Sequence, residues 1–342
     1  MHSTLDPRFV DPTANEPGLF IDVRDERRAL LVDLGDIVRL PPRLLLRVSH
    51  AFVTHTHMDH FAGFDHLLAV GLGRLPRLTL WGGPGFVEQL QHKLRAYTWN
   101  VVHRYEQPLV IDVHALEADG SRRHARFDSR QRFALRNAAE APPRPGGLLL
   151  VEPLFAVRAA IVDHEMPVLA FAVEEKARLR VAADRITAMG LAAGAWLRAL
   201  KLAVLAGAPD DTPIDGVLRR GGPGPPQPES RRLGELRALV LDTVPGRRIG
   251  YVTDLRYTPA NITRLRQLLM DVDLLYIESV FQEADRDQAA RKNHLTAHQA
   301  GDIARQLRAR AVQPFHFSPR YRGGEEALRA EVQAAWLGAT AA

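Results

Sequence analysis

Seven consecutive residues constrain this chain more than any other feature: Thr54-His55-Thr56-His57-Met58-Asp59-His60. They follow an apolar, β-branched stretch, Val48-Ser49-His50-Ala51-Phe52-Val53. An extended segment puts side chains i and i+2 on one face, so His55 and His57 point the same way at a strand end. Asp59 and His60 follow where the chain turns into its next element and offer a second pair of ligands. Imidazole nitrogen and carboxylate oxygen are the donors that zinc and similar divalent ions take. Two ligand pairs this close predict two metals.

Composition narrows the alternatives. The chain has 342 residues, 46% of them apolar, which suits a globular protein with a full core. No run of about 18 uncharged apolar residues occurs, so no membrane span is expected. The N-terminus, Met1-His2-Ser3-Thr4-Leu5-Asp6, lacks the basic and apolar regions of a signal peptide, and a cytoplasmic location is the expectation. Cysteine is absent, which excludes disulfides and thiolate metal sites. The net charge of +5 permits a polyanionic partner without demanding one. Of the 45 basic residues only Lys93, Lys176, Lys201 and Lys292 are lysine. The arginine fork suits phosphate recognition, but genomic base composition accounts for most of this bias.

Along the chain, strand patterns alternate with helical ones. Gly18–Val23 and Ala29–Asp33 flank a charged turn and read as a hairpin. Leu78–Trp81, Phe155–Val162, Arg248–Thr253 and Leu274–Glu278 read as strands. A helix is expected over Phe86–Arg95. Thr258-Pro259 opens another, with Thr as N-cap, and Thr296 to Gln299 has the capping-box pattern. The Gly/Pro-rich run within 219–230 reads as a flexible loop. This mixture predicts an α/β layered architecture. Three later positions each end an apolar strand: His164, Asp254 and His316. Strand ends in α/β folds converge on sites, so these are the candidates to complete the metal set.

With Asp33 upstream and His164, Asp254 and His316 downstream, the His55-Thr56-His57-Met58-Asp59-His60 run resembles the metallo-β-lactamase fold superfamily. Within it the chain is most similar to ribonuclease Z, the tRNA 3′-processing endonuclease. Asp163-His164 and the strand from Pro167, the loop His294-Leu295-Thr296-Ala297, and Phe315-His316-Phe317-Ser318-Pro319-Arg320-Tyr321 carry that likeness. The resemblance implies a single domain over 1–342, an αββα sandwich with the metals at one edge and a small helical arm inserted at 174–207. It implies two zinc ions, with manganese as the other candidate. His55, His57 and His164 would hold one ion and Asp59, His60 and His316 the other, with Asp254 between them and Asp33 beneath. A metal-bridging hydroxide would cut the 3′ trailer from precursor tRNA. His294 would donate a proton to the leaving oxygen, and Asp59 would accept one or orient the hydroxide. Glu278, ending its strand, is the candidate to orient His294. Arg320, Lys176 and Arg180 would contact substrate, and a homodimer is implied.

Two departures from the family stand out. The arm region lacks the prolines of the usual Gly/Pro tip, reading Met189-Gly190-Leu191-Ala192-Ala193-Gly194-Ala195-Trp196. The segment around Ala14-Asn15-Glu16-Pro17-Gly18 does not match the family's Gly-rich first loop. They leave a second reading open: hydrolysis of a small phosphodiester, such as a cyclic nucleotide, or of an ester.

Overall fold

Two large sheets and two small ones make up the strands of the computed structural model, which describes residues 4–11, 13, 15–221 and 224–338. Met1–Ser3 of the N-terminal segment, Ala14, and Gly222-Pro223 of the Gly/Pro-rich run lie outside the described residues. The first sheet has eight strands in chain order: β1 (Leu5–Phe9), β2 (Leu19–Val23), β3 (Arg28–Val32), β4 (Val48–Phe52), β5 (Arg77–Gly82), β6 (Val110–Leu116), β7 (Arg122–Asp128) and β8 (Leu135–Ala141). The expected hairpin is β2–β3, antiparallel, with Leu19 opposite Val32. From β3 through β6 the strands run parallel.

The second sheet begins with β9 (Leu148–Val151), β10 (Phe155–Asp163) and β11 (Pro167–Glu175). An inserted segment then carries β12 (Arg178–Val181), β13 (Leu191–Ala192), β14 (Pro213–Arg219), β15 (Gln227–Arg232) and β16 (Leu241–Val244). The chain returns through β17 (Arg248–Val252), β18 (Leu274–Glu278) and β19 (Val312–Phe315), giving the order β19-β18-β17-β11-β10-β9.

Period-two alternation places the core. On β3, Leu30 and Val32 join one buried cluster while Ala29 and Leu31 join another. The first cluster fills the space between the sheets, where Phe52 meets Phe171 edge-on at 5.6 Å between ring centroids. The second lies under the helices Phe64–Gly71 and Phe86–Arg95. On β11 every residue from Val168 to Val173 is buried, in the same cluster as Leu265 and Leu269 of the helix Pro259–Leu269. Such an unbroken apolar run marks a strand covered on both faces. Truncating Phe171 to Ala would cost about 3–5 kcal/mol.

The helix caps follow the local chemistry. Thr258 accepts from the Asn261 N–H at the start of Pro259–Leu269, and Thr296 with Gln299 forms a reciprocal capping box. Among the described residues no helix is long and apolar enough to cross a membrane.

Two compact units result: Met1–Glu175 with Arg247–Ala342, and Lys176–Gly246. The second contains the helices Ala183–Ala188, Trp196–Leu205 and Leu233–Val240. It has an apolar cluster of its own, including Trp196, Leu200, Val217, Leu233 and Leu236. Its extent differs from the 174–207 segment read from the sequence, because β16 returns to pair with β12 and closes the unit's base. It also holds a β-hairpin beside its helices. The run within 219–230 is the connection of that hairpin, where Arg219 at the end of β14 pairs with Gln227 at the start of β15.

Candidate metal centre

The histidine run emerges where β4 ends. Asp33 follows β3 on the neighbouring parallel strand and is fully buried. Its carboxylate accepts from the Thr54 N–H at 2.8 Å, the Thr54 hydroxyl at 2.9 and 3.0 Å, His60 Nδ1 at 2.8 Å and the Tyr251 hydroxyl at 3.1 Å. It therefore fixes both the start of the motif and the ring of its last histidine. Close backbone approach does the rest. A Cβ on Gly35 would meet the Pro17 and Asp59 carbonyls at 2.4 and 2.6 Å, and one on Gly63 would meet the Gly35 carbonyl at 2.3 Å. Only glycine fits where these loops touch.

Three acid or histidine residues that serve the centre adopt left-handed backbone: Asp33 (φ 59°), Asp254 (φ 47°) and His316 (φ 61°). Each comes one or two residues after a strand, β3, β17 and β19 respectively. A non-glycine residue in this region costs of order 1–3 kcal/mol and persists where the surroundings hold it.

Asp254 stands at the middle. Its Oδ2 lies 3.5 Å from His55 Nε2, 3.7 Å from His164 Nε2 and 4.0 Å from His57 Nδ1. Its Oδ1 lies 3.5 Å from His60 Nε2 and 3.1 Å from His316 Nδ1. Asp59 Oδ2 approaches His60 Nε2 at 3.6 Å and His316 Nε2 at 3.3 Å. Potential ligand atoms thus gather into a His55–His57–Asp254 group and an Asp59–His60–His316 group. Among the described residues the buried atoms His55 Nε2, His60 Nε2 and His316 Nδ1 have no hydrogen-bond partner; the last lies 3.1 Å from Asp254 Oδ1 without hydrogen-bond geometry. Buried orphan nitrogens are costly unless something accepts their lone pairs, and a metal ion does. The residues fit the ions the sequence implies.

Outer partners aim the rings. His164 Nδ1 lies 2.8 Å from the Asn293 carbonyl, to which it donates, so its Nε2 faces Asp254. His60 does the same through Asp33. Burial, reinforced by His60, pulls His55 down to about 2, which keeps it neutral and ready to ligate. Burial also lowers His57. Burial opposes the charge on Asp254, yet the His316 and His60 rings hold it well below the usual carboxylate range. The converse appears at His316, where burial is outweighed by Asp254, Asp59 and Glu278 and the imidazole rises well above its ordinary value.

Beside this centre, Glu278 is fully buried at the end of β18. Its Oε2 lies 2.7 Å from His294 Nδ1, while its Oε1 accepts from the Leu255 and Leu295 N–H groups at 3.0 and 3.3 Å. Burial works against the charged form of His294, and the Glu278 carboxylate, with help from Asp254, raises its pKa above the ordinary value.

A cleft of about 560 Å³ opens over the centre, with His57, Asp59, His164, Asp254, His294 and His316 on its wall. Lys292 and Arg322 also line it, along with Asn15 and Ser318, and none of these four is a candidate site residue in the sequence reading. Their one readable signal is position: Lys292 stands two residues before His294, and Arg322 closes the loop after His316. Of the three residues expected to contact substrate, Arg320 is not among those lining the cleft. Arg320 pairs with Asp285 at 3.2 Å and donates to Gln288 Oε1 at 2.5 Å. Lys176 and Arg180 belong to the second unit, where Arg180 pairs with Asp242 at 2.6 Å.

A two-sheet sandwich with this centre at one edge has the metallo-β-lactamase fold. A metallo-β-lactamase fold protein from Bacillus subtilis superposes with a TM-score of 0.51 at 15% identity, covering 96% of this chain and 93% of that one. The short form of human tRNase Z superposes equally, at 0.51 and 17% identity, covering 93% and 92%. No family model matches the chain, but sequence relatives define its family. The ribonuclease Z of Deinococcus radiodurans is 34% identical over 307 residues, 88% of this chain and 86% of that protein. The ribonuclease Z of Natronomonas pharaonis is 26% identical over 342 residues, 96% of this chain and 90% of that one. The chain belongs to the ribonuclease Z family.

Proposed function

We propose that this chain is a zinc-dependent endonuclease that removes the 3′ trailer from precursor tRNA. One observation carries the reading: the two carboxylate oxygens of Asp254 face different ligand groups, Oδ2 toward His55, His57 and His164, and Oδ1 toward His60 and His316. A carboxylate presented in this way suits a pair of ions. His55, His57 and His164 would hold one, and Asp59, His60 and His316 the other, with Asp254 shared. When bound, such ions supply positive charge for the phosphodiester oxygens and a lowered pKa for the attacking water.

The remaining work falls to the chain's own side chains. Asp59 lines the cleft beside His316, so it orients the attacking water toward phosphorus. With Nδ1 committed to Glu278, His294 keeps Nε2 for the cleft it lines. Protonated there, it delivers a proton to the departing ribose oxygen. Glu278 is the positioning residue that fixes its ring and its tautomer. Lys292 and Arg322 add cationic charge for the phosphates on either side of the cut.

The Lys176–Gly246 unit is the substrate arm of this reading, with Lys176 and Arg180 contributing to its grip on RNA. A homodimer and a cytoplasmic setting belong to the same reading. The test is cleavage of a 3′-extended precursor tRNA beside a chromogenic phosphodiester, with and without a chelator. Trailer release that stops on chelation and returns with zinc supports the proposal. Turnover of the chromogenic ester with no cleavage of any precursor would move the assignment to a small phosphodiester.

A further inference from the structure

A second polar cleft, of about 590 Å³, lies on the first sheet among residues the metal centre does not use. Its floor is the face of β4–β7 whose neighbouring positions enter the inter-sheet core at Phe52 and Trp81. Beyond those two rings the apolar pattern fails. The same face continues with His50, Thr79, Asp112, His114, His124 and Arg126. β4 and β5 are parallel. Arg77 stands at the start of β5, whereas the metal ligands follow the end of β4, so the two sites belong to opposite edges of the sheet.

Two features of this cleft call for a ligand. The first is unbalanced positive charge. Arg77 and Arg126 both pair with Asp112, at 2.7 and 2.8 Å. Arg122 and Arg144 also line the cleft, and among the described residues neither has a carboxylate within ion-pair distance. The Arg122 Nε donates to the Pro142 carbonyl at 3.3 Å. Burial lowers the Arg122 pKa and the nearby Arg144 charge lowers it further. The second feature is a stack of flat rings. Trp81 and His114 lie nearly parallel at 4.1 Å between centroids, 13° apart, and the His124 ring follows at 4.6 Å, tilted by 30° to His114. Burial pulls His50 and His114 down to about 4, so both are neutral near pH 7. The cleft therefore offers guanidinium forks for an anion beside flat aromatic faces for a planar group.

We propose that this cleft binds a nucleoside phosphate, its phosphate held between Arg122 and Arg144 and its base stacked on His124. The binding is reversible, needs no metal ion and leaves the ligand unchanged. The same chemistry is presented by a free nucleotide and by one nucleotide of a single-stranded RNA. The proposal does not rest on the activity assigned to the metal centre.

Equilibrium dialysis of the metal-loaded protein tests it, with labelled AMP, inorganic phosphate and a six-nucleotide oligoadenylate as probes. AMP should bind more tightly than inorganic phosphate, since stacking adds to the charge term. The Arg122→Ala/Arg144→Ala double variant, changed only at residues outside the metal cleft, should lose at least tenfold in AMP affinity and keep its phosphodiesterase rate. His124→Ala should bring AMP down to the level of phosphate. Oligoadenylate binding tighter than AMP, and lost in the same variants, identifies RNA as the source; tighter AMP identifies a free nucleotide. Absent AMP binding, AMP binding unchanged in the double variant, or equal binding of AMP and phosphate to the unmutated protein would each overturn the proposal.

Discussion

Glu278 ties His294 to the centre from below. One carboxylate oxygen takes the imidazole Nδ1 at 2.7 Å, and the other accepts from Leu255 and Leu295, the residues that follow Asp254 and His294. A single buried side chain thereby fixes the loop bearing the shared ligand against the loop bearing the proton donor. With both oxygens engaged, Glu278 has little reason to leave its charged state, and the His294 ring has one orientation.

This relationship sets the pH dependence. The His294 pKa is raised by Glu278 against burial, so the protonated form persists above 6.5 and is lost as pH climbs through the raised value. Activity should therefore fall on the alkaline side. Removing the carboxylate with Glu278→Gln lowers the His294 pKa and should move that alkaline limb to lower pH. A pH–rate profile of kcat checks it; an unmoved limb would assign the titration to another group.

Replacing the donor itself should be costly but clean. His294→Ala should keep the fold and metal content and lose roughly 10²–10⁴-fold in rate on RNA. The loss should shrink on a nitrophenyl phosphodiester, whose leaving group needs no proton. Equal losses on both substrates would argue for a binding role.

Metal content should be about two zinc ions per chain. His57→Ala and His316→Ala should each lower occupancy, at different ions, because the two side chains lie on opposite sides of Asp254. Elemental analysis of the purified variants is the measurement, and full occupancy in both would refute the ligand assignment.

Asp33 holds four donors from three buried residues: the Thr54 N–H and hydroxyl, His60 Nδ1 and the Tyr251 hydroxyl. Asp33→Ala leaves them unpaired, at about 1–3 kcal/mol for each buried group. It should also weaken metal binding by about 10–100-fold, since the His60 ring loses its orienting partner. Denaturant melts with metal titrations separate the two effects.

The inserted unit can be removed whole. Glu175 donates its N–H to the Arg247 carbonyl at 2.9 Å, so the chain ends on either side of Lys176–Gly246 already meet. A short Gly/Ser linker should close the gap without disturbing the metal centre. Precursor tRNA cleavage should then weaken mainly through KM, while turnover of a small phosphodiester survives. Deleting only Ala182–Ala199 is a poorer test, because Ile186, Leu191 and Trp196 belong to the unit's apolar cluster.

Much was legible in the chain because its signals are local. The histidine run, the β2–β3 hairpin, the helix Phe86–Arg95 and the Thr258 and Thr296 caps depend on neighbours within a few residues, where pattern and propensity act directly. His164, Asp254 and His316 could be named because each ends an apolar strand. The division of the two Asp254 oxygens was implied by family resemblance, whereas spacing alone could not give it, since it depends on left-handed turns at Asp254 and His316 and on Asp33 beneath them. Nor could it show the true span of the inserted unit, set by β12 pairing with β16, Val181 opposite Leu241, far along the chain. The arginine–histidine cleft was equally hidden. His50, Trp81, His114 and His124 come from four strands, and only parallel and antiparallel register brings their rings onto one face. Spacing along a chain specifies which residues share an element, whereas the packing of elements decides which distant side chains share a charge.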